Sequence, residues 1–233
     1  MTRILTIILA AIIFCSCRSI TGSGNIITQT RHLNQFDGVK CSGSIDIEVM
    51  NDNTQEVKVE ADDNIMPYVI TKVDNGMLDV HLKNNQMYHN INVKVYVSAP
   101  VLARLFVSGS GSLTSTNTLK DADRIEFKVS GSGDINASID APNIIADVSG
   151  SGTLRLQGRT KNFESSVSGS GDITCKDLLA ENTNVTVSGS GNAHVFASVS
   201  LNAKVSGSGG IYYSGKPTSP VIHKSGSGSV QAE

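Results

Sequence analysis

Apolar and polar residues alternate along much of this chain with a period of two, the spacing of a β-strand whose two faces meet different surroundings. Between Ile125 and Ile139, one face collects Ile125, Phe127, Val129, Gly131, Gly133, Ile135, Ala137 and Ile139. The other collects Glu126, Lys128, Ser130, Ser132, Asp134, Asn136 and Ser138. The same frame, V-x-G-x-G-x-apolar, begins again at Val107, Val148, Val167, Val187 and Val205, with Lys224 replacing Val in the last copy. Each copy contains Ser-Gly-Ser-Gly, starting at Ser108, Ser130, Ser149, Ser168, Ser188, Ser206 and Ser225, so the steps are 22, 19, 19, 20, 18 and 19 residues. A flexible tether of that composition needs no metre. Self-similarity at a period near 20 residues marks a solenoid, whose repeats bury their apolar faces only by stacking on one another.

The alternation turns twelve glycines inward: Gly109, Gly111, Gly131, Gly133, Gly150, Gly152, Gly169, Gly171, Gly189, Gly191, Gly207 and Gly209. An inward pair either lets opposing walls of a coil pinch together or lets the strand bend at a corner, and both geometries exclude a side chain. Turn residues separate the copies, as at Ala141-Pro142-Asn143, Gln157-Gly158-Arg159 and Gly215-Lys216-Pro217. Strand, turn, strand, turn fills the period and leaves no room for a helical crossover, whose unit needs about 30 residues. The predicted fold is therefore all-β, a parallel β-helix with about 19–20 residues per turn.

Upstream the frame reappears in degraded form, with Cys41 at the first glycine position of Val39 to Ile45 and again, 19 residues earlier, at Ile20 to Ile26. Residues 46–105 lack the motif but alternate as strands through Ile45, Ile47 and Val49, Val57 and Val59, Leu78, Val80 and Leu82, and Ile91 to Val97. Asp62 to Val73 reads as one short helix with Asp or Asn caps, broken near Pro67. A β-helix needs its ends covered, so this divergent segment is the candidate cap or insertion.

The first 17 residues read as an export signal: Arg3 precedes an apolar run, Ile4 to Phe14, too short for a permanent membrane span. Phe14-Cys15-Ser16-Cys17 resembles a lipoprotein lipobox, with Ser16 before the cut and Cys17 as the lipidated residue. An ordinary secreted protein cut nearby is the alternative. The division that follows is 1–17 as lipoprotein signal, 18–35 as an N-terminal segment holding a candidate first rung, and 36–233 as the β-helix domain. Cys41 and Cys175 are isolated from each other in sequence and read as buried free thiols rather than a disulfide framework.

GSGNI at Gly22 to Ile26, FDGVKCSGSIDIEV from Phe36 to Val49 and the later VSGSGDI copies together resemble the putative auto-transporter adhesin, head GIN domain family. The resemblance runs from about Gly22 to the C-terminus. It implies a β-helical fold and an exported, often lipidated protein of a Gram-negative cell envelope, and it brings no catalytic residues. Cys41 and Ser44 depart from the regular copies, so the first turns are expected to be less regular.

Composition narrows the chemistry. A formal net charge of −2 without a Lys/Arg cluster argues against nucleic acid, whose phosphates require a dense positive face. His32, His81, His89, His194 and His223 are scattered, with no metal-ligand spacing. Asp134 and Asp172 follow second glycines, but the equivalent positions elsewhere are Ser112, Thr153, Asn192, Gly210 and Ser229, too few carboxylates for calcium. Asp147, Arg155, Arg159 and Glu164 are the nearest approach to a catalytic cluster and read as a solvated face. No cofactor, metal or catalytic residue is expected.

What the motif offers is a lattice. Ser130, Ser132, Ser149, Ser151, Ser168, Ser170, Ser188, Ser190, Ser206 and Ser208 point outward and would align in columns at the rung spacing of about 4.8 Å, a candidate binding ladder. Small polar residues tolerating tight corners is the plainer explanation. The function expected is a non-catalytic, lipid-anchored envelope protein, an adhesin, interaction or scaffold module. Its partners would be the membrane, through the anchor, and envelope or host glycans or proteins. The alternative is a polysaccharide-binding or polysaccharide-cleaving β-helix protein. The expected location is the outer membrane, facing either the periplasm or the exterior.

Overall fold

The structure, a computed structural model, describes residues 19–121 and 123–233. The expected signal segment, with Cys17, lies outside the described residues. Strand accounts for 71% of the fold, which contains a β-solenoid of about seven turns.

Each turn from Arg104 onward has a strand before the Ser-Gly corner and a strand after it. The first kind includes Arg104–Gly109, Arg124–Gly131, Asn143–Gly150, Ser200–Gly207 and Ser219–Gly226. The second includes Ser112–Lys120, Asp134–Asp140, Asp172–Cys175, Asn192–Phe196, Gly210–Ser214 and Ser229–Ala232. Thr153–Gly169 and Leu178–Gly189 run through the second corner and serve both kinds. Strands of successive turns pair in parallel, valine on valine: Val107 with Val129, Val148 with Val167, Val187 with Val205. These valines are buried, and the adjoining inward column balances bulk along the axis, with Phe127 next to Ala146 and then Ser165. Of the three residues by which the 22-residue step exceeds the next, two are absorbed in a bulge, where Ser115, Thr116 and Asn117 stand opposite Ala137 alone, and one in the turn between Lys120 and Arg124.

The two glycines of a motif do different work. Gly131 has φ +116°, a left-handed backbone that turns the corner, and a Cβ there would stand 2.6 Å from the Gly109 carbonyl oxygen one rung away. Gly133 is the inward one, and a Cβ on it would meet Gly111 O at 2.4 Å and Val107 Cγ1 at 2.5 Å. The inward reading is thus corrected for the first glycines, Gly109, Gly131, Gly150, Gly169, Gly189 and Gly207, which are not buried, and of the two geometries open from the sequence the corner is the one observed.

Before Arg104 the rung order departs from chain order. Gly38–Gly43 and Asp46–Asn51 stack in parallel on Arg104–Gly109 and Ser112–Lys120. On their other side lie Met77–Leu82 and Val93–Ala99, which come later in the chain. Antiparallel strands then close the stack: Val69–Asp74 on Met77–Leu82, Glu56–Asp62 on Val93–Ala99, and Ile26–Arg31 on Glu56–Asp62. The divergent segment is thus the cap.

Three expectations are corrected here. Cys41 does not take the first glycine position of the frame: it pairs with Val107, and Gly43 pairs with Gly109, so the thiol fills the buried valine column. Ile20 to Ile26 is not a rung: residues 22–25 form a loop pinned by three consecutive residues, with Gly24 N–H on Asp62 Oδ1 at 2.7 Å, Ser23 Oγ on Asp63 Oδ1 at 2.6 Å and Ser23 N–H on Asn64 Oδ1 at 3.0 Å. Asp62 to Val73 is not a helix either, since only Met66–Tyr68 makes a 3₁₀ turn. From Val69 the β-branched run forms a hairpin through Asn75 and Gly76, both at positive φ, the Asn-Gly signal of a tight strand connection.

Candidate functional site

Parallel in-register pairing brings the motif serines into one column. Ser42 pairs with Ser108, Ser108 with Ser130, and the series continues through Ser149, Ser168, Ser188 and Ser206 to Ser225. The second serines, Ser132, Ser151, Ser170, Ser190 and Ser208, are exposed at the corners, where their N–H groups donate to the preceding rung's first-glycine carbonyl at 2.8–2.9 Å. At a rung spacing of about 4.8 Å, neighbouring hydroxyls are too far apart to bond each other. Ser42 Oγ donates to Asp79 Oδ1 at 3.0 Å; the hydroxyls of Ser130 to Ser206 face solvent.

A second ladder lies on the same outer face and was not anticipated. Asn143, Asn162, Asn182 and Ser200 are stacked by the same pairing. Asn162 Nδ2 donates to Asn143 Oδ1 at 2.9 Å, Asn182 Nδ2 to Asn162 Oδ1 at 3.1 Å, and Ser200 Oγ to Asn182 Oδ1 at 2.8 Å. An amide is long enough to bridge the rung spacing where a hydroxyl is not. The signal was available: each of these residues precedes its motif serine by six positions. Beside the ladder runs the column Glu164, Asn184, Asn202 and Val221, and the two border an open groove of about 710 Å³ along the solenoid axis.

The remaining candidates disperse. Asp172 Oδ1 accepts the Asn192 N–H at 2.8 Å, and Asn192 Oδ1 accepts the Gly210 N–H at 3.1 Å, so this column is joined internally. Among the described residues no three His, Cys, Asp or Glu side chains gather as a metal site. Asp147 accepts a hydrogen bond from Ser166, and Arg155 lies 4.0 Å from Asp134. Arg159 holds Asp140 at 2.9 and 2.7 Å, and its hydrogen bonds draw the Asp140 carboxyl below the usual range. Glu164 borders the asparagine groove. Cys41 and Cys175 are buried free thiols, and burial pushes them up to about 11 and about 12, far from the thiolate form at neutral pH.

No curated protein matches this chain. Among solved structures, a putative adhesin from Bacteroides fragilis superposes with a TM-score of 0.86 at 21% identity, covering 92% of this chain and all of the other. A putative lipid binding protein from Parabacteroides distasonis gives 0.78 at 25% identity, covering 93% of this chain and 100% of its own. A putative adhesin from the same organism gives 0.73 at 25% identity, with 92% and 100% covered. The family model described as "Putative auto-transporter adhesin, head GIN domain" matches residues 35–217, most of the cap and of the coil, and the chain belongs to that family.

Proposed function

We propose that this protein is a non-catalytic, lipid-anchored module of the cell envelope that contacts an extended polar partner through the outer face bearing the serine and asparagine ladders. The observation that carries this reading is the in-register serine column, whose hydroxyls from Ser130 to Ser206 face solvent. A flat array of donors and acceptors repeating every ~4.8 Å suits a partner that is itself repetitive. Family membership supports an adhesin-like role. Anchoring through Cys17 belongs to the same proposal, and Cys17→Ala should move the protein out of the membrane fraction and abolish metabolic lipid labelling.

The groove between the asparagine ladder and Asn184 and Asn202 favours an envelope polysaccharide as that partner, because amides and hydroxyls match sugar hydroxyls without charge selection. The test is binding of the full chain to immobilised envelope polysaccharides. Changing Ser149, Ser168, Ser188 and Ser206 together to Ala should abolish retention, while Ser188→Ala alone should weaken it slightly. Undiminished retention by the fourfold variant would refute the ladder.

A further inference from the structure

Residues 83–92 connect Met77–Leu82 to Val93–Ala99 and carry a short strand, Met87–His89, that pairs with Ser19–Thr21. Between this connection and the head of the serine column lies a pocket of about 660 Å³, a volume usual for small-ligand sites. Ser42 and Ser44 line one side, Asp79 and His81 another, and Gln86 and Tyr88 the connection itself. Asn85 holds φ +64°, a left-handed conformation that Asn accepts more readily than most residues, and it helps shape that wall.

Two residues that line this pocket each carry a buried side-chain atom without a hydrogen-bond partner, His81 Nδ1 and Gln86 Oε1. They are two of the four such side-chain atoms among the described residues. His81 Nδ1 stands 3.6 Å from Asp79 Oδ2, beyond a hydrogen bond, while Asp79 Oδ1 already accepts from Ser42 at 3.0 Å. Buried polar atoms are satisfied in the great majority of cases, so an unpaired ring nitrogen and an unpaired amide oxygen in one pocket point to a missing partner. Formal charge on the lining is one lysine, Lys83, against one carboxylate, Asp79, which selects neither an anion nor a cation. Leu82, Ile91 and the Tyr88 ring add an apolar strip, the ring being oriented by its hydroxyl donating to Lys83 O at 2.9 Å.

We propose that this pocket binds a neutral sugar. A sugar hydroxyl both donates and accepts, so with a small turn of each side chain toward the pocket it satisfies Gln86 Oε1 as a donor and His81 Nδ1 in either tautomer, while the C–H face of the ring meets the apolar strip. The site is separate from the ladder groove, sharing with the serine column only its first turn at Ser42 and Ser44.

The test is protein-observed NMR on the full chain in a detergent without a sugar head group, titrated with maltose, xylobiose and N,N′-diacetylchitobiose to about 20 mM, the range in which weak millimolar binding shows. At least one disaccharide should shift the amides of residues 42–44 and 79–88 saturably. Gln86→Ala should weaken that binding about tenfold or more with an unchanged melting midpoint, and Ser188→Ala should leave it intact. His81→Phe repeats the test from the opposite wall. The proposal is overturned if no disaccharide gives saturable shifts, if the shifts fall only on ladder residues, if Gln86→Ala and His81→Phe bind as the parent does, or if inorganic phosphate shifts the same amides more strongly.

Discussion

Gly150 stacks on Gly131 so closely that a Cβ on Gly150 would lie 2.5 Å from the Gly131 carbonyl oxygen, and Gly150 holds φ +118° to do so. The contact recurs rung after rung, as at Gly169 over Gly150 and Gly189 over Gly169. Each first-glycine carbonyl then accepts N–H groups from the next corner, as when Gly131 O takes Ser151 at 2.8 Å and Gly152 at 3.0 Å. Corner, stacking and hydrogen bonding depend on one missing side chain.

Gly150→Ala should therefore destabilise the fold by about 2–5 kcal/mol, combining backbone strain with overpacking against a neighbouring carbonyl. Ser149→Ala, one residue away on the exposed column, should cost under about 0.5 kcal/mol. Urea denaturation of both variants measures the difference, and equal losses would contradict the corner geometry.

Asn162 sits in mid-ladder, donating to Asn143 and accepting from Asn182. Asn162→Ala removes two hydrogen bonds at an exposed site and should cost about 1 kcal/mol. Asn162→Asp keeps the acceptor and loses the donor, so the Asn143 link should fail while the Asn182 link persists. Side-chain amide resonances of Asn143 and Asn182 report the two links separately.

At the last turn, Lys224 stands in the column occupied by Val205 and is exposed, and Pro220 interrupts the same strand's donors. A charge in place of the column's valine and a proline are usual ways of blunting an edge that would otherwise pair with another chain. Lys224→Val should raise self-association, read as a concentration-dependent rise in sedimentation coefficient. An unchanged coefficient would mean that the edge is protected by something other than this charge.

Asp62 is fully buried and its carboxylate accepts the Asn92 N–H at 2.6 Å and the Gly24 N–H at 2.7 Å. The Asn92 hydrogen bond is the main cause that lowers its pKa in the folded protein. A carboxyl lowered on folding contributes stability above its unfolded value of about 3.9, and that contribution is lost as pH falls through the folded value. Asp62→Asn should therefore destabilise most at neutral pH, with the gap to the parent narrowing below about pH 4. A gap constant across that window would show that the charge itself is not what the loop 22–25 reads.

The sequence by itself determined the coil. Seven copies of one frame at nearly constant spacing specify parallel stacking, because a period-two face built from Val, Ile and Leu is buried only when the same positions of the next copy cover it. In-register serines follow from that stacking, and their column was legible residue by residue. The asparagine ladder was legible too, in the constant six-residue offset of Asn143, Asn162 and Asn182 from the motif serines, but its meaning rests on a side-chain reach that only stacked rungs reveal. Tertiary structure alone decided the cap. Gly38–Gly43 pairs with Met77–Leu82 on one side and Arg104–Gly109 on the other, contacts between residues far apart in the chain that no local pattern ranks. The same holds for Asp62 to Val73, where Asp62 resembles a helix cap in isolation and instead accepts hydrogen bonds from residues 24 and 92, while Val69 to Asp74 finds an antiparallel partner across Asn75-Gly76. Repetition makes a residue's neighbour its own copy, whereas a unique segment takes its partners from the whole chain, and burial against those partners overrides local preference.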